Sequence, residues 1–380
     1  MKRNESSAAS DLGALDVTGL RIVQIIATTT GGTGAHVRVL VEHLAARGAS
    51  VTVCGPAETD RQFGYSDANV RFATTPIGSS PHPRDALTVQ RLRTVVRGAD
   101  LVHAHSLRAA AMAGLATPKT VPLVVTRHNA ILVTGLTRRV HEALQLYTAR
   151  RATVTLCVSG DLVDAVRRAG GDDVRRTFIT APPMPPARRD RDEVRDELAA
   201  GQRPLILAVG RLHPQKDHTT LIDAAGRIGD LDPWPLVVIA GGGPQRTELA
   251  ALIARTGAPV RLLGNRDDVP DLLAAADILA SASEWEGCPL AVQEGLRAGL
   301  PFVGTRVGSV PDIVADAGLL VPPHDPRALA AQLRRVITET GLSKDLAERA
   351  VRRARELPDD DEVVGQAVMA YSDALRIRPR

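Results

Sequence analysis

With 380 residues, 44% of them hydrophobic and 24% charged, the chain is long enough for two ordinary domains and has the make-up of a soluble globular protein. A formal charge of +4 with only four Phe, two Trp and three Tyr leaves too little aromatic interleaving for a single-stranded nucleic-acid binder, so no nucleic-acid partner is expected. Cys54, Cys157 and Cys288 lie too far apart for a metal site or a disulfide framework, and no run of about 18 apolar residues is present to span a membrane.

The first 18 residues lack an apolar stretch long enough for a signal peptide and read as a disordered tail, which points to a cytoplasmic protein. Short apolar runs then alternate with helical patterns, as parallel sheets with crossover helices require. The expected strands of the first half are 20–27, 50–54, 70–74, 101–105, 122–127, 154–158 and 178–180. Val37, Leu40, Val41 and Leu44 recur at helical spacing within 35–47. TTTGGTGAHV after the first strand invites a dinucleotide fingerprint, but its third Gly falls at Val37, and Cys54-Gly55 end the second strand where an acid belongs. The Gly31-Gly32 turn instead lets backbone approach a phosphate or an acceptor, and Gly34 reads equally well as part of a tight strand-to-helix turn.

His103, His105 and His128 all fall near strand ends, where the first two read as hydrogen-bonded structure. TRRVHEALQLYTARR is a helical pattern with Val140, Leu144 and Tyr147 on its apolar positions. Its basic flanks read as a solvated face, or as a contact with anionic membrane at the inner surface. APPMPPARRDRD, residues 181–192, has no periodicity and is the expected domain linker. Asp190-Arg191-Asp192 in it matches an Asp-x-Asp metal motif, but it lies among arginines away from a strand end and reads as solvated charge.

The second half restarts with strands at 205–209, 236–240, 260–263, 278–281, 302–304 and 318–321, and residues 359–377 form a helical pattern after Pro358. The first of these strands ends in GRLHPQKD, so Arg211 and Lys216 stand at a strand's carboxyl end, where open α/β sheets collect ligands. A guanidinium and an ammonium there can neutralise the charge of a departing diphosphate. In SASEWEGCPLAVQEGLRAGLPFVGT, Pro289 suits the first helical position, with Cys288 at the cap and the amides of Leu290 and Ala291 free to meet an anion. Glu294 lies about 7.5 Å further along the helix axis and leans back toward that end, while Glu286 sits in the loop before it. A diphosphate between two carboxylates that grip hydroxyls is what a nucleotide sugar needs.

GRLHPQKD, AGGGP, EGCPLAVQE and GLPFVGT, in this order and spacing over residues 204–321, resemble the carboxyl half of glycosyltransferase family 4. The Gly-Gly turn, LVHAHS and VVTRHNA match its amino half more loosely. The resemblance implies the α/β GT-B fold, two Rossmann-like domains facing across a central cleft. The domains would cover 19–182 and 183–358, with a tail helix at 359–380 returning to the first. It implies a hexosyl-type transferase that moves a sugar from a nucleotide-diphosphate donor to an acceptor hydroxyl with retention of configuration. By the same likeness Arg211 and Lys216 bind the diphosphate, Glu294 the ribose, and Glu286 with Gly287, Cys288, Pro289 and Leu290 the transferred sugar. His128 approaches that sugar from the amino domain. Gly32 gives the donor room, and Asn265-Arg266 sit where the family meets the nucleobase. The donor is a co-substrate, and no metal or other cofactor is expected, because Arg211, Lys216 and the helix end supply the positive charge. Two departures fall on the acceptor side: ITAPPMPPARRD replaces an Asn-Gly turn, and Asn129 follows His128. A nucleotide-sugar epimerase, a hydrolase using the two carboxylates, or a non-catalytic nucleotide-sugar-binding subunit are the other readings open to the same fold.

Overall fold

A computed structural model describes residues 16–29, 31–78, 80 and 82–377. The tail expected at 1–18 falls outside the described residues up to residue 15. The chain divides into two units, Met1–Thr180 with Pro358–Arg380, and Ala181–Leu357.

The first unit is built on seven parallel strands: β1 (Arg21–Ile26), β2 (Ser50–Gly55), β3 (Arg71–Thr74), β4 (Leu101–His105), β5 (Leu123–Arg127), β6 (Val154–Cys157) and β7 (Val174–Arg176). Their order is β3-β2-β1-β4-β5-β6-β7, so the strand order reverses between β1 and β4. Both faces of the sheet are covered, which is why its strands read as nearly continuous apolar runs. On one face Ile22 and Ile26 pack with Val37, Leu40 and Leu44 of the helix Gly32–Ala46 and with Val364, Val368 and Tyr371 of the helix Asp360–Arg376. On the other, Val23, Ile25 and Val125 pack with Leu92, Ala109 and Met112. The last helix starts in a capping box: Asp359 accepts from Glu362 N at 2.9 Å and Glu362 from Asp359 N at 3.3 Å.

The second unit repeats the plan with β8 (Leu205–Val209), β9 (Leu236–Ala240), β10 (Val260–Gly264), β11 (Ile278–Ser281), β12 (Phe302–Thr305) and β13 (Gly318–Val321). These run parallel in the order β10-β9-β8-β11-β12-β13, reversing between β8 and β11. Ile206, Val237, Ile239, Ile278 and Val303 pack with Leu221, Leu249 and Leu333 in its core.

One local expectation shifts and another gains a detail. No strand forms at 178–180; β7 lies earlier, paired with β6 from Thr155↔Val174 onward. Thr177 N still reaches Cys157 O at 2.9 Å, but the chain then leaves the sheet with Ile179 buried, so the apolar signal there reports burial rather than pairing. Asp190 is exposed, as expected of solvated charge, and it has a structural part as well. It caps the helix Arg191–Glu197, accepting from Asp192 N at 2.9 Å. Among the described residues no helix is long and apolar enough to cross a membrane.

Candidate active site

In the second unit the loops after β8, β9 and β11 brace one another through positions only glycine can hold. A Cβ on Gly241 would lie 1.9 Å from Gly210 O, and one on Gly243 would lie 2.4 Å from Leu212 O. Both glycines take positive φ, at 151° and 156°. Leu212 N donates to Gly242 O at 2.8 Å, which ties the AGGGP turn to the GRLHPQKD turn. The second of these is shaped by its own side chains. His213 caps the short helical turn Pro214–Lys216, and Asp217 in the left-handed region caps the helix His218–Gly226. Gln215 carries the brace to the next loop, giving Nε2 to Trp285 O at 2.8 Å and taking Glu284 N at 2.8 Å.

This scaffold brings Lys216 Nζ to Glu286 Oε1 at 2.5 Å. Glu286 is buried, and its Oε1 also accepts from Ser283 Oγ at 2.6 Å. Among the described residues nothing donates to its Oε2. Behind it, Ser309 N donates to Glu286 O at 3.2 Å and Ser309 Oγ to Gly287 O. A Cβ on Gly308 would lie 1.7 Å from Glu286 O, so this backbone contact also requires glycine. Arg211 is exposed, and its guanidinium has no partner among the described residues. Its carbonyl accepts from His218 Nε2 at 3.1 Å. Burial holds His218 down to about 4, so it serves as a neutral bracket.

Pro289 proves to be the cap and Leu290 the first residue of the helix Leu290–Arg297, one position later than expected. The cause is the proline's ψ of 113°, which leaves it extended. The first intrahelical bond is Gln293 N to Pro289 O at 3.5 Å, which leaves the amides of Leu290 and Ala291 without intrahelical partners. No side chain caps this end and no acid lies in its first turn. Cys288 is partly buried, with Gln293 Nε2 at 3.5 Å from its Sγ. Glu294 is half-buried, and burial pushes its carboxyl up against the opposing pull of Arg297. Asn265 lies against Gly242, where a Cβ would meet its Oδ1 at 2.6 Å. Arg266 is differently placed. Its guanidinium is engaged by Asp268 at 2.5 and 2.7 Å and by Glu197 at 3.0 Å, which uses three of its five N–H donors.

Gly32 and His128 belong to the first unit, Gly32 as the first residue of the helix Gly32–Ala46. His128 follows β5 and is buried with His36, His103 and His105. His103 Nδ1 stands 2.7 Å from Tyr371 Oη and its Nε2 2.7 Å from Thr126 Oγ1. Gln24 Nε2 donates to Tyr371 Oη at 3.1 Å, while its Oε1 faces His105 Nε2 at 2.8 Å. Because that oxygen only accepts, His105 must carry its proton on Nε2 and accept on Nδ1. The bond at 3.2 Å between His105 Nδ1 and His128 Nε2 is therefore donated by His128. His128 Nδ1 is left a bare acceptor, buried and without a partner. Burial holds all four imidazoles neutral: His36 at about 4, His103 at about 3, and His105 and His128 well below the usual range. His36, Gln24 and Tyr371 were not singled out from sequence. His103 and His105 alternate onto one sheet face, as their spacing of two implies.

The comparisons with known proteins agree with this geometry. Residues 190–356 match the glycosyl transferases group 1 family and residues 31–182 the glycosyl transferase 4-like domain. The chain is 33% identical over 317 residues to a D-inositol 3-phosphate glycosyltransferase of Salinispora arenicola, covering 72% of this chain and 70% of that one. The chain belongs to glycosyltransferase family 4. A shorter match, 30% over 144 residues, relates the transferase to an N-acetyl-alpha-D-glucosaminyl L-malate synthase of Bacillus anthracis, over 37% of this chain and 38% of that one. The solved structure of Anabaena HepE in complex with UDP superposes on it with a TM-score of 0.77 at 20% identity, over 93% of this chain and 100% of that one. Sucrose-phosphate synthase from Thermosynechococcus elongatus gives 0.75 at 19%, over 94% and 99%. The transferase has the GT-B fold.

Proposed function

We propose that this glycosyltransferase binds a nucleotide-diphosphate sugar on its second unit and passes the sugar to a hydroxyl of an acceptor taken up by its first, with retention of anomeric configuration. The observation that carries this reading is the Lys216–Glu286 pair at 2.5 Å, together with an Arg211 guanidinium that has no partner among the described residues and a helix end at Leu290 that no side chain caps. Lys216 has three donors, so it can hold Glu286 and a phosphate oxygen together. Arg211, Lys216 and the amides of Leu290 and Ala291 then meet the charge that grows on the diphosphate as its bond to the sugar breaks. A new bond forms to the acceptor oxygen, and the acceptor proton leaves with the diphosphate. The unused Oε2 of Glu286 takes a sugar hydroxyl, Glu294 takes the ribose hydroxyls, and His128 Nδ1 accepts from a hydroxyl of the sugar or acceptor. No step in this reading calls for a metal, so EDTA should leave turnover unchanged.

The test is a panel of nucleotide sugars, each scored for release of nucleoside diphosphate with and without cell extract as the acceptor source. Release that rises with extract, and a product whose anomeric configuration by NMR equals the donor's, supports transfer with retention. Inverted product ends the stereochemical claim, and binding without release on any donor ends the catalytic one.

A membrane-bound acceptor is also part of this reading. Leu136, Val140 and Leu146 stay exposed on the helix Gly135–Arg151, beside Arg138 and Arg139. Co-sedimentation with anionic vesicles, lost in Leu136→Asp, is the expected outcome; equal sedimentation with neutral vesicles ends the idea.

A further inference from the structure

Three arginines are buried among the described residues, two in the first unit and one in the second, and they differ in how their charge is met. Arg108 reaches Asp85 at 2.7 Å and the carbonyls of Gly78 and Ser80. Arg195, in the second unit, offers the same lesson as Arg108: it reaches Asp277 at 3.2 Å and three carbonyls. Arg127 at the end of β5 is 2% exposed and has neither kind of support. Its Nη2 donates to the neutral amide of Gln145 at 3.2 Å, its Nε is buried without a partner, and among the described residues no carboxylate pairs with it. Burial lowers it only to about 10, so it stays a cation at neutral pH. An uncompensated buried charge is costly, and folds that keep one have a counter-charge to put beside it.

That counter-charge has a place to go. Arg127 lines a cavity of about 210 Å³ at the ends of β1, β4 and β5, at the point where strand order reverses. Among the described residues no aspartate or glutamate lines it. Two helices contribute their first turns, the helix Gly32–Ala46 through Thr33 and the helix Leu107–Ala116 through Leu107 and Arg108. Neither end is capped by a side chain, and neither has an acid in its first turn. Ser106 and Asn129 line the same space, with side chains that bond to no other described residue. Free amides, hydroxyls and a buried guanidinium around a space without acids are the parts of an oxyanion site. The volume suits an oxyanion and the carbon that bears it, being below the ~300–1,000 Å³ of sites that enclose a whole small molecule.

We propose that this cavity is an oxyanion site with Arg127 as its cation, and that the group it takes is a phosphate or carboxylate carried by the sugar acceptor. The second part rests on the transfer reading above. The probes are inorganic phosphate, glycerol 3-phosphate and malate, followed by thermal shift at constant ionic strength against chloride. Wild-type protein should gain stability saturably with at least one of them, and the Arg127 Nε–H resonance should move over the same titration. Arg127→Met should keep or raise the melting temperature without ligand, because it removes the unmatched charge, and should lose about tenfold or more in anion affinity. No saturable shift in wild type, or an undiminished one in a folded Arg127→Met, overturns the site. Phosphate esters against malate separate the two oxyanion classes. Donor consumption is then assayed with phosphorylated and carboxylated polyols as acceptors. If anions bind but none of these raises nucleoside diphosphate release above that with neutral polyols, the acceptor assignment falls while the site stands. If no acceptor of any kind raises release, the transfer reading itself has failed.

Discussion

The two units share one topology and one switch point, yet they equip it in opposite ways. At the end of β8 and β11 charge is matched: Lys216 meets Glu286 at 2.5 Å, and glycines at 241, 243 and 308 lock the loops so that the pair has one geometry. At the end of β1, β4 and β5 the buried groups include four neutral imidazoles and Arg127, which no carboxylate meets among the described residues. A parallel sheet supplies the place for a site, and side chains alone decide its chemistry. The paired end suits a ligand whose charge is known in advance, such as a diphosphate. The unpaired end stays incomplete until a ligand brings the missing charge and hydroxyls.

The largest expected effects break the matched end. Lys216→Ala and Glu286→Gln should each lower turnover by about 10²–10³ at saturating donor. The double variant should fall little below the worse single, because the pair acts as one unit. Lys216→Ala also leaves a buried carboxylate with only Ser283, which should cost about 3 kcal/mol of stability. Nucleoside diphosphate release and urea unfolding measure the two effects. Near-normal turnover in both singles would remove the pair from catalysis. Additive losses would mean that the two side chains act on separate steps.

The next effect separates the units by acid. His36 and His103 are held at about 4 and about 3, and His105 and His128 well below the unfolded value of ~6.5. A depressed folded-state pKa gives stability that is present above the unfolded value and lost as pH falls through the folded one. Between about pH 6.5 and 4, each such histidine removes roughly 1.4 kcal/mol per pH unit as the unfolded chain gains protons. The second unit has only two, His218 at about 4 and His213, lowered by burial and then by Arg211 and Lys216. Hydrogen exchange at stepped pH should therefore show β1, β4 and β5 losing protection before β8 and β11. Simultaneous loss across both sheets would mean that the tetrad does not set the acid stability of its unit.

Much of the matched end was legible because its motifs are local. Gly210 to Lys216 and Glu286 to Glu294 are each one short stretch of chain, and strand-loop-helix order alone sets them at strand ends. Pro289 was misplaced by one residue because proline tolerates both cap and first position, and only its ψ decides. The pairing of Arg266 with Glu197, 69 positions away, could not be foreseen. The unmatched end was nearly opaque for the same reason. Tyr371 meets Gln24 across 347 positions, and Arg127 is conspicuous only once no carboxylate arrives. Alternation places such residues on a face but says nothing of what faces them.

The smallest effect tests whether the hydrogen-bond chain behind His128 positions it or merely fills the core. Tyr371→Phe keeps the ring among Val364, Val368 and Leu40 but removes the hydroxyl that accepts from Gln24 and faces His103. The stranded donor of Gln24 should cost about 1–3 kcal/mol. With Gln24 free to turn, His105 loses the fixed acceptor that sets its tautomer, and His128 Nδ1 is then no longer always a bare acceptor. The structure thus predicts a two- to tenfold loss of turnover, about 0.4–1.4 kcal/mol at the barrier, with donor KM little changed. His128→Ala should lose more, and adding Tyr371→Phe to it should cost nothing further in turnover. A purely structural Tyr371 would give the same stability loss in both backgrounds but leave turnover of the folded enzyme untouched. The imidazole ¹⁵N spectrum decides between them, because only a positioning role requires His128 to change tautomer in Tyr371→Phe.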